Sequence, residues 1–140
     1  MKNLAGTWYN ELGSRVELVI KPDGHIEGHY YTAVGGSSGE FHLSGQADVH
    51  SRHNSRSFGF VVAWTNSMVN EHSVTVWSGL YHHVGEEEVL STTWLLTRET
   101  ATAEQWTSTM IGTNTFRRTP PEQWTPLQTW KSEPMPSPVG

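Results

Sequence analysis

Apolar and polar residues alternate with a period of two along most of this chain, and the alternation predicts short β-strands. The clearest stretch is His72-Ser73-Val74-Thr75-Val76-Trp77-Ser78-Gly79. Successive side chains on a strand point to opposite faces, so Ser73, Thr75 and Trp77 share one face and Val74 and Val76 the other. Neither face reads as a plain solvent face. Two hydroxyls and an indole side by side suit a cavity for a ligand with a polar head and an apolar body.

The same period marks the other elements. Residues 6–12 predict a first strand with Trp8, Asn10 and Leu12 on one face; Gly13-Ser14 turns the chain, and Ser14 can continue that face. Residues 15–20 predict a second, with Val16, Leu18 and Ile20 alternating against Arg15 and Glu17. Lys21-Pro22-Asp23-Gly24 is a turn signal, because proline sets φ and Asp-Gly tolerates a positive φ. A third strand is expected from about His25 to Ala33, with Tyr30, Thr32 and Val34 sharing a face. A loop of small residues follows, Gly35-Gly36-Ser37-Ser38-Gly39. Further strands are expected over Phe41 to Val49, Ser57 to Thr65, the stretch from His72, Val89 to Thr97, and Trp106 to Arg118. Thr92, Trp94 and Leu96 share a face of the seventh; Met110, Gly112 and Asn114 share one of the eighth. Gly85-Glu86-Glu87-Glu88 reads as a solvated turn, and Arg98 to Gln105 as a loop or one helical turn. Eight short, evenly spaced strands predict an all-β fold, an up-and-down barrel or a sandwich. A barrel of about eight strands can hold one small ligand.

Composition narrows the picture. At 140 residues the chain suits one domain. Charged residues make up 16%, and the net charge of −5 with scattered basic residues argues against nucleic acid. There is no cysteine, so disulfides and thiol nucleophiles are excluded. No apolar run approaches the ~18 residues that span a membrane. Met1-Lys2-Asn3-Leu4 does not have the form of a signal peptide. Six of the seven prolines lie at 120, 121, 126, 134, 136 and 138, so residues 120–140 are expected to be an extended tail outside any sheet. Trp124 and Trp130 within it are expected to dock on the barrel or on a neighbour, because indoles are costly to leave in water.

The ordered motifs Gly6-Thr7-Trp8-Tyr9-Asn10-Glu11-Leu12-Gly13-Ser14, Asp23-Gly24 with Gly28 and Tyr30, Val62-Ala63-Trp64, Asn70 to Gly79, Trp94-Leu95-Leu96-Thr97 and Trp106 to Phe116 resemble those of the avidin–streptavidin family of biotin-binding proteins. The resemblance covers roughly residues 4 to 119. It implies an eight-stranded antiparallel up-and-down barrel over 1–119, secretion, no enzymatic activity, no cofactor, and biotin as ligand. By position, Asn10, Ser14 and Tyr30 match the groups that hold the ureido oxygen, and Thr32 and Asn114 those that take its N–H donors. Thr75 matches the partner of the thioether sulfur and Ser73 a carboxylate contact. Trp64, Trp77 and Trp94 match the aromatic walls, and Leu12 and Leu96 lie beside them. Val34, Gly36 and Ser37 belong to the loop that matches a lid. Trp106 matches the tryptophan lent to a neighbouring subunit's pocket, which implies a homo-oligomer, a tetramer rather than a dimer. Asn114 stands where family members carry aspartate or asparagine.

Competing readings are a carbohydrate-binding β-sandwich, suggested by Trp, Ser, Thr and Gly enrichment, and a lipocalin-like carrier, suggested by Gly6-x-Trp8. The eight histidines give no metal signature: His82 and His83 are adjacent on a strand and point apart, and His50 and His53 share only a loop. The outward apolar residues Val74, Val76 and Ile111, with Thr109, suit a subunit interface better than a membrane.

Overall fold

The computed structural model describes residues 4–33 and 39–127, with the side chains of 104–106 left out. Its eight strands are β1 (Gly6–Asn10), β2 (Arg15–Ile20), β3 (His25–Tyr31), β4 (Glu40–Ala47), β5 (Arg56–Thr65), β6 (Asn70–Val84), β7 (Glu87–Arg98) and β8 (Thr109–Arg117). Each pairs antiparallel with the next, and β8 closes onto β1, making a barrel in sequence order. Closure leaves no open sheet edge. The sandwich alternative is therefore overturned.

Local chemistry sets the turns. Gly24 has φ +91°, its N–H donates to Lys21 O at 2.8 Å, and Asp23 Oδ1 accepts from His25 N at 3.0 Å. Between β5 and β6, Asn66 Oδ1 accepts from the N–H groups of Met68 and Val69.

Several boundaries differ from expectation. β1 ends at Asn10, because Asn10 N bonds Ser14 O at 2.9 Å and turns the chain there. Leu12 thus leaves the strand and is 71% exposed. The turn after β6 is only Gly85-Glu86, since Val84 pairs with Glu87. Glu87 and Glu88 are strand residues, and Glu88 bonds the Tyr81 hydroxyl at 3.0 Å and Arg118 Nη2 at 3.2 Å. Trp106 does not begin β8: it lies in a 3₁₀ segment, Thr102–Thr107, and the strand starts at Thr109. Val49 lies beyond the end of β4.

The barrel is filled at one end only. Trp8, Val16, Leu18, Ile26, Leu43, Phe58, Phe60, Leu90 and Phe116 form the core. An aromatic series rises from it: Phe58 stacks on Phe60, Phe60 lies against Trp77, Trp77 stacks on Tyr30 at 5.2 Å, and Tyr30 meets Trp64 edge-on at 5.2 Å. At the filled end Arg118 covers the Trp8 ring at 3.7 Å, and Trp8 Nε1 donates to Leu4 O. The first part of the tail docks at the β8 end leading there. Pro121–Gln123 forms a 3₁₀ turn, Arg117 Nη1 donates to Thr125 O, and the Arg117 guanidinium lies 5.0 Å from the centre of the Trp124 ring. Trp130 lies outside the described residues.

Candidate functional site

The other end of the barrel holds a cavity of about 380 Å³. It is built in cross-strand layers. β6 and β7 place Trp77 opposite Trp94, Thr75 opposite Leu96, and Ser73 opposite Arg98. Because side chains alternate, all three pairs face inward while Val74, Val76 and Leu95 face out. Asn10, Leu12, Tyr30, Trp64 and Asn114 complete the wall, with Glu71 at the rim. The alternation read from Ser73, Thr75 and Trp77 thus places a polar and aromatic face on the hollow.

The deep end is polar and connected. Asn10 Oδ1 accepts from the N–H groups of Leu12 and Ser14, both at 3.0 Å, which sets the amide so that Nδ2 faces the hollow and donates to the Tyr30 hydroxyl at 3.3 Å. Burial pushes the Tyr30 pKa up, against hydrogen bonds from Ser14 and Asn10 that lower it. A phenol is protonated at neutral pH, so the Tyr30 O–H is a donor there, and burial extends that range upward. Across the cavity, Trp77 Nε1 donates to Asn114 Oδ1 at 3.0 Å, and Asn114 Nδ2 donates to Glu11 Oε2 at 2.7 Å. Glu11 Oε1 also accepts from Thr115 N at 2.9 Å. These contacts fix the amide with its oxygen inward, and a second lone pair on that oxygen can take another N–H.

The middle layer is aromatic. Trp64 Nε1 donates to Thr75 Oγ1 at 2.7 Å, which leaves the threonine proton for a soft acceptor. Trp94 packs directly against Gly112; a Cβ there would sit 2.5 Å from Trp94 Cε2. Only glycine allows the indole so close. The arrangement can hold a flat, apolar-bodied molecule whose head offers both a carbonyl and N–H groups. An unmatched head would leave buried polar groups unpaired, each costing about 1–3 kcal/mol.

Not every expected residue lines the hollow. Ser14 is buried and hydrogen-bonds the Tyr30 hydroxyl behind the wall. Thr32 lies just past β3 and is also outside the wall; its N–H donates to Gly39 O at 2.8 Å. Val34, Gly36 and Ser37 fall outside the described residues, as does the side chain of Trp106. Three residues that the sequence reading did not single out belong to the site. Arg98 continues the inward alternation of Leu96, a signal that was available; Glu71 lies beyond His72, whose φ of +52° interrupts the alternation. Glu11 reaches Asn114 across 103 positions, which no local pattern reports. Among the described residues, no three His, Asp or Glu side chains converge to hold a metal.

A closed eight-stranded barrel whose unfilled end is walled by aromatic side chains has the architecture of barrels that can hold one small ligand. The profile of the Avidin family matches residues 1–119, and the chain belongs to that family. It is similar to Fibropellin-1 of Strongylocentrotus purpuratus, 32% identical over 121 residues, covering 83% of this chain and 11% of that protein. It is also similar to Afifavidin of Afifella pfennigii, 27% identical over 106 residues, covering 66% of this chain and 57% of that one. The chain thus spans only part of the length of both relatives.

Proposed function

We propose that this chain binds biotin without catalysis, the ureido head in the deep polar end and the valerate tail running to the mouth. The observation that carries the reading is the pair of oriented amides. Asn10, with Tyr30, offers N–H and O–H donors on one side of the hollow; Asn114 offers an acceptor on the other. A cyclic urea needs that complement. Donors around its carbonyl favour a polarised form, and such bonds reinforce one another in a dry site. Ser14 and Thr32 would complete the ureido contacts, Thr75 would face the thioether sulfur, and Trp64, Trp77 and Trp94 would wall the ring and chain. Val34, Gly36 and Ser37 would lie in the loop that closes over the bound ligand.

The working unit we propose is the barrel of residues 1–119, with 120–140 as an appendage, secreted and assembled as a homotetramer. The outer face of β6, β7 and β8 supports assembly. Val76, Leu95 and Ile111 lie side by side in register and are exposed in the single chain, Ile111 to 70%. A contiguous apolar face of this kind asks for a second copy. Trp106 would be lent across that assembly to a neighbouring pocket.

Calorimetric titration of biotin into the full chain, with tryptophan fluorescence followed in parallel, tests the reading. Saturable heat and a fluorescence change at one biotin per chain are expected. No heat and an unmoved thermal midpoint would overturn it.

A further inference from the structure

We infer that Arg98 makes the mouth of this cavity select ligands whose tail ends in a free carboxylate over the amide of the same ligand; the inference rests on the biotin reading for the direction of the tail. Trp94, Leu96 and Arg98 are successive inward positions of β7, and Arg98 is the outermost. Four residue steps of strand carry it from Trp94, about 13 Å at the usual rise. The cation thus stands at the opposite end of the hollow from the deep amides Asn10 and Asn114.

Its surroundings leave it ready for an anion. Among the described residues, its side-chain hydrogen bond is Nη2 to Met110 Sδ at 3.3 Å, a weak acceptor. No described carboxylate forms an ion pair with it, whereas Arg15, Arg117 and Arg118 each have a glutamate. A guanidinium can grip both oxygens of a carboxylate at once, but an amide offers a single acceptor oxygen. Ser73, directly across from Arg98, can donate to either, so it does not discriminate. Glu71 also lines the rim, and its charge opposes an incoming anion. It limits the effect of Arg98 and makes the selectivity sensitive to both residues.

The test compares dissociation rates of biotin and biotinamide from the full chain at low salt. Wild-type protein is expected to release biotin about two- to fivefold more slowly than the amide, the range of an exposed ion pair with good geometry. Arg98→Gln is expected to collapse that ratio toward one, Glu71→Gln to widen it, and molar salt to shrink it in the wild type. A wild-type ratio of one, or a ratio that Arg98→Gln leaves intact, would overturn the inference while the biotin reading stands. Failure of biotin to bind would overturn that reading and this inference together.

Discussion

Replacing Glu11 by alanine probes the deep end without touching a cavity-lining side chain. In the native barrel the carboxylate accepts from Asn114 Nδ2 at 2.7 Å and from Thr115 N at 2.9 Å. Hydrogen bonds to a charged acceptor contribute about 1.5–3 kcal/mol each when dry. Glu11 is exposed while Asn114 is only 7% exposed, so water can replace part of what is lost at Thr115 but little at the amide. With that discount for solvent screening, Glu11→Ala should cost about 1–2 kcal/mol of stability. The amide also loses the contact that keeps its oxygen inward. Release of biotin should then quicken by roughly tenfold, the equivalent of about 1.4 kcal/mol. Glu11→Gln should fall between the two, since a neutral side-chain amide offers only one acceptor oxygen for the two donors. Denaturant unfolding and stopped-flow displacement of labelled biotin report the two quantities. A Glu11→Ala protein with native midpoint and native release would show that Asn114 is oriented by something else.

Three other perturbations follow from the structure. Gly112→Ala puts a methyl group into the Trp94 ring, so the indole must leave the wall; overpacking of this kind costs about 1–3 kcal/mol, and both thermal midpoint and biotin affinity should fall. At the filled end, burial and then the Glu88 hydrogen bond push the Tyr81 hydroxyl from 10.0 to about 12. A raised folded pKa gives stability that is full below pH 10 and lost as pH rises through about 12, so Tyr81→Phe should flatten the alkaline limb of a midpoint-against-pH curve. Finally, Ile111→Lys places a charge in the middle of the apolar outer face; light scattering should show a smaller assembly, and an unchanged mass would place the interface elsewhere.

Much of this architecture is legible along the chain because strands declare themselves by a period of two. That Ser73, Thr75 and Trp77 share one face of their strand, and Trp94 and Leu96 one face of theirs, follows from alternation alone. So does the apolar outer set Val74, Val76 and Ile111. Where the expectation slipped, a single local hydrogen bond decided the matter. The bond from Asn10 N to Ser14 O ends β1 before Leu12, and the pairing of Val84 with Glu87 tightens the β6–β7 turn to two residues. Strand periodicity does not report such pairings, because the same residues alternate equally well with or without them.

What the sequence determined by itself is which side chains share a face, since that needs only the geometry of an extended backbone and a turn signal at each end. Its ordered motifs were also enough to place it beside a known family. What only the tertiary structure decided is how the deep polar groups point. The Asn114 amide is set by Glu11 from the far end of the chain and by Trp77 from another strand. The Tyr30 phenol on β3 takes its hydrogen bond from Asn10 on β1, a contact that exists only once the barrel closes. An amide has two chemically opposite ends, and the linear order of residues carries no record of which end the folded surroundings turn toward the hollow.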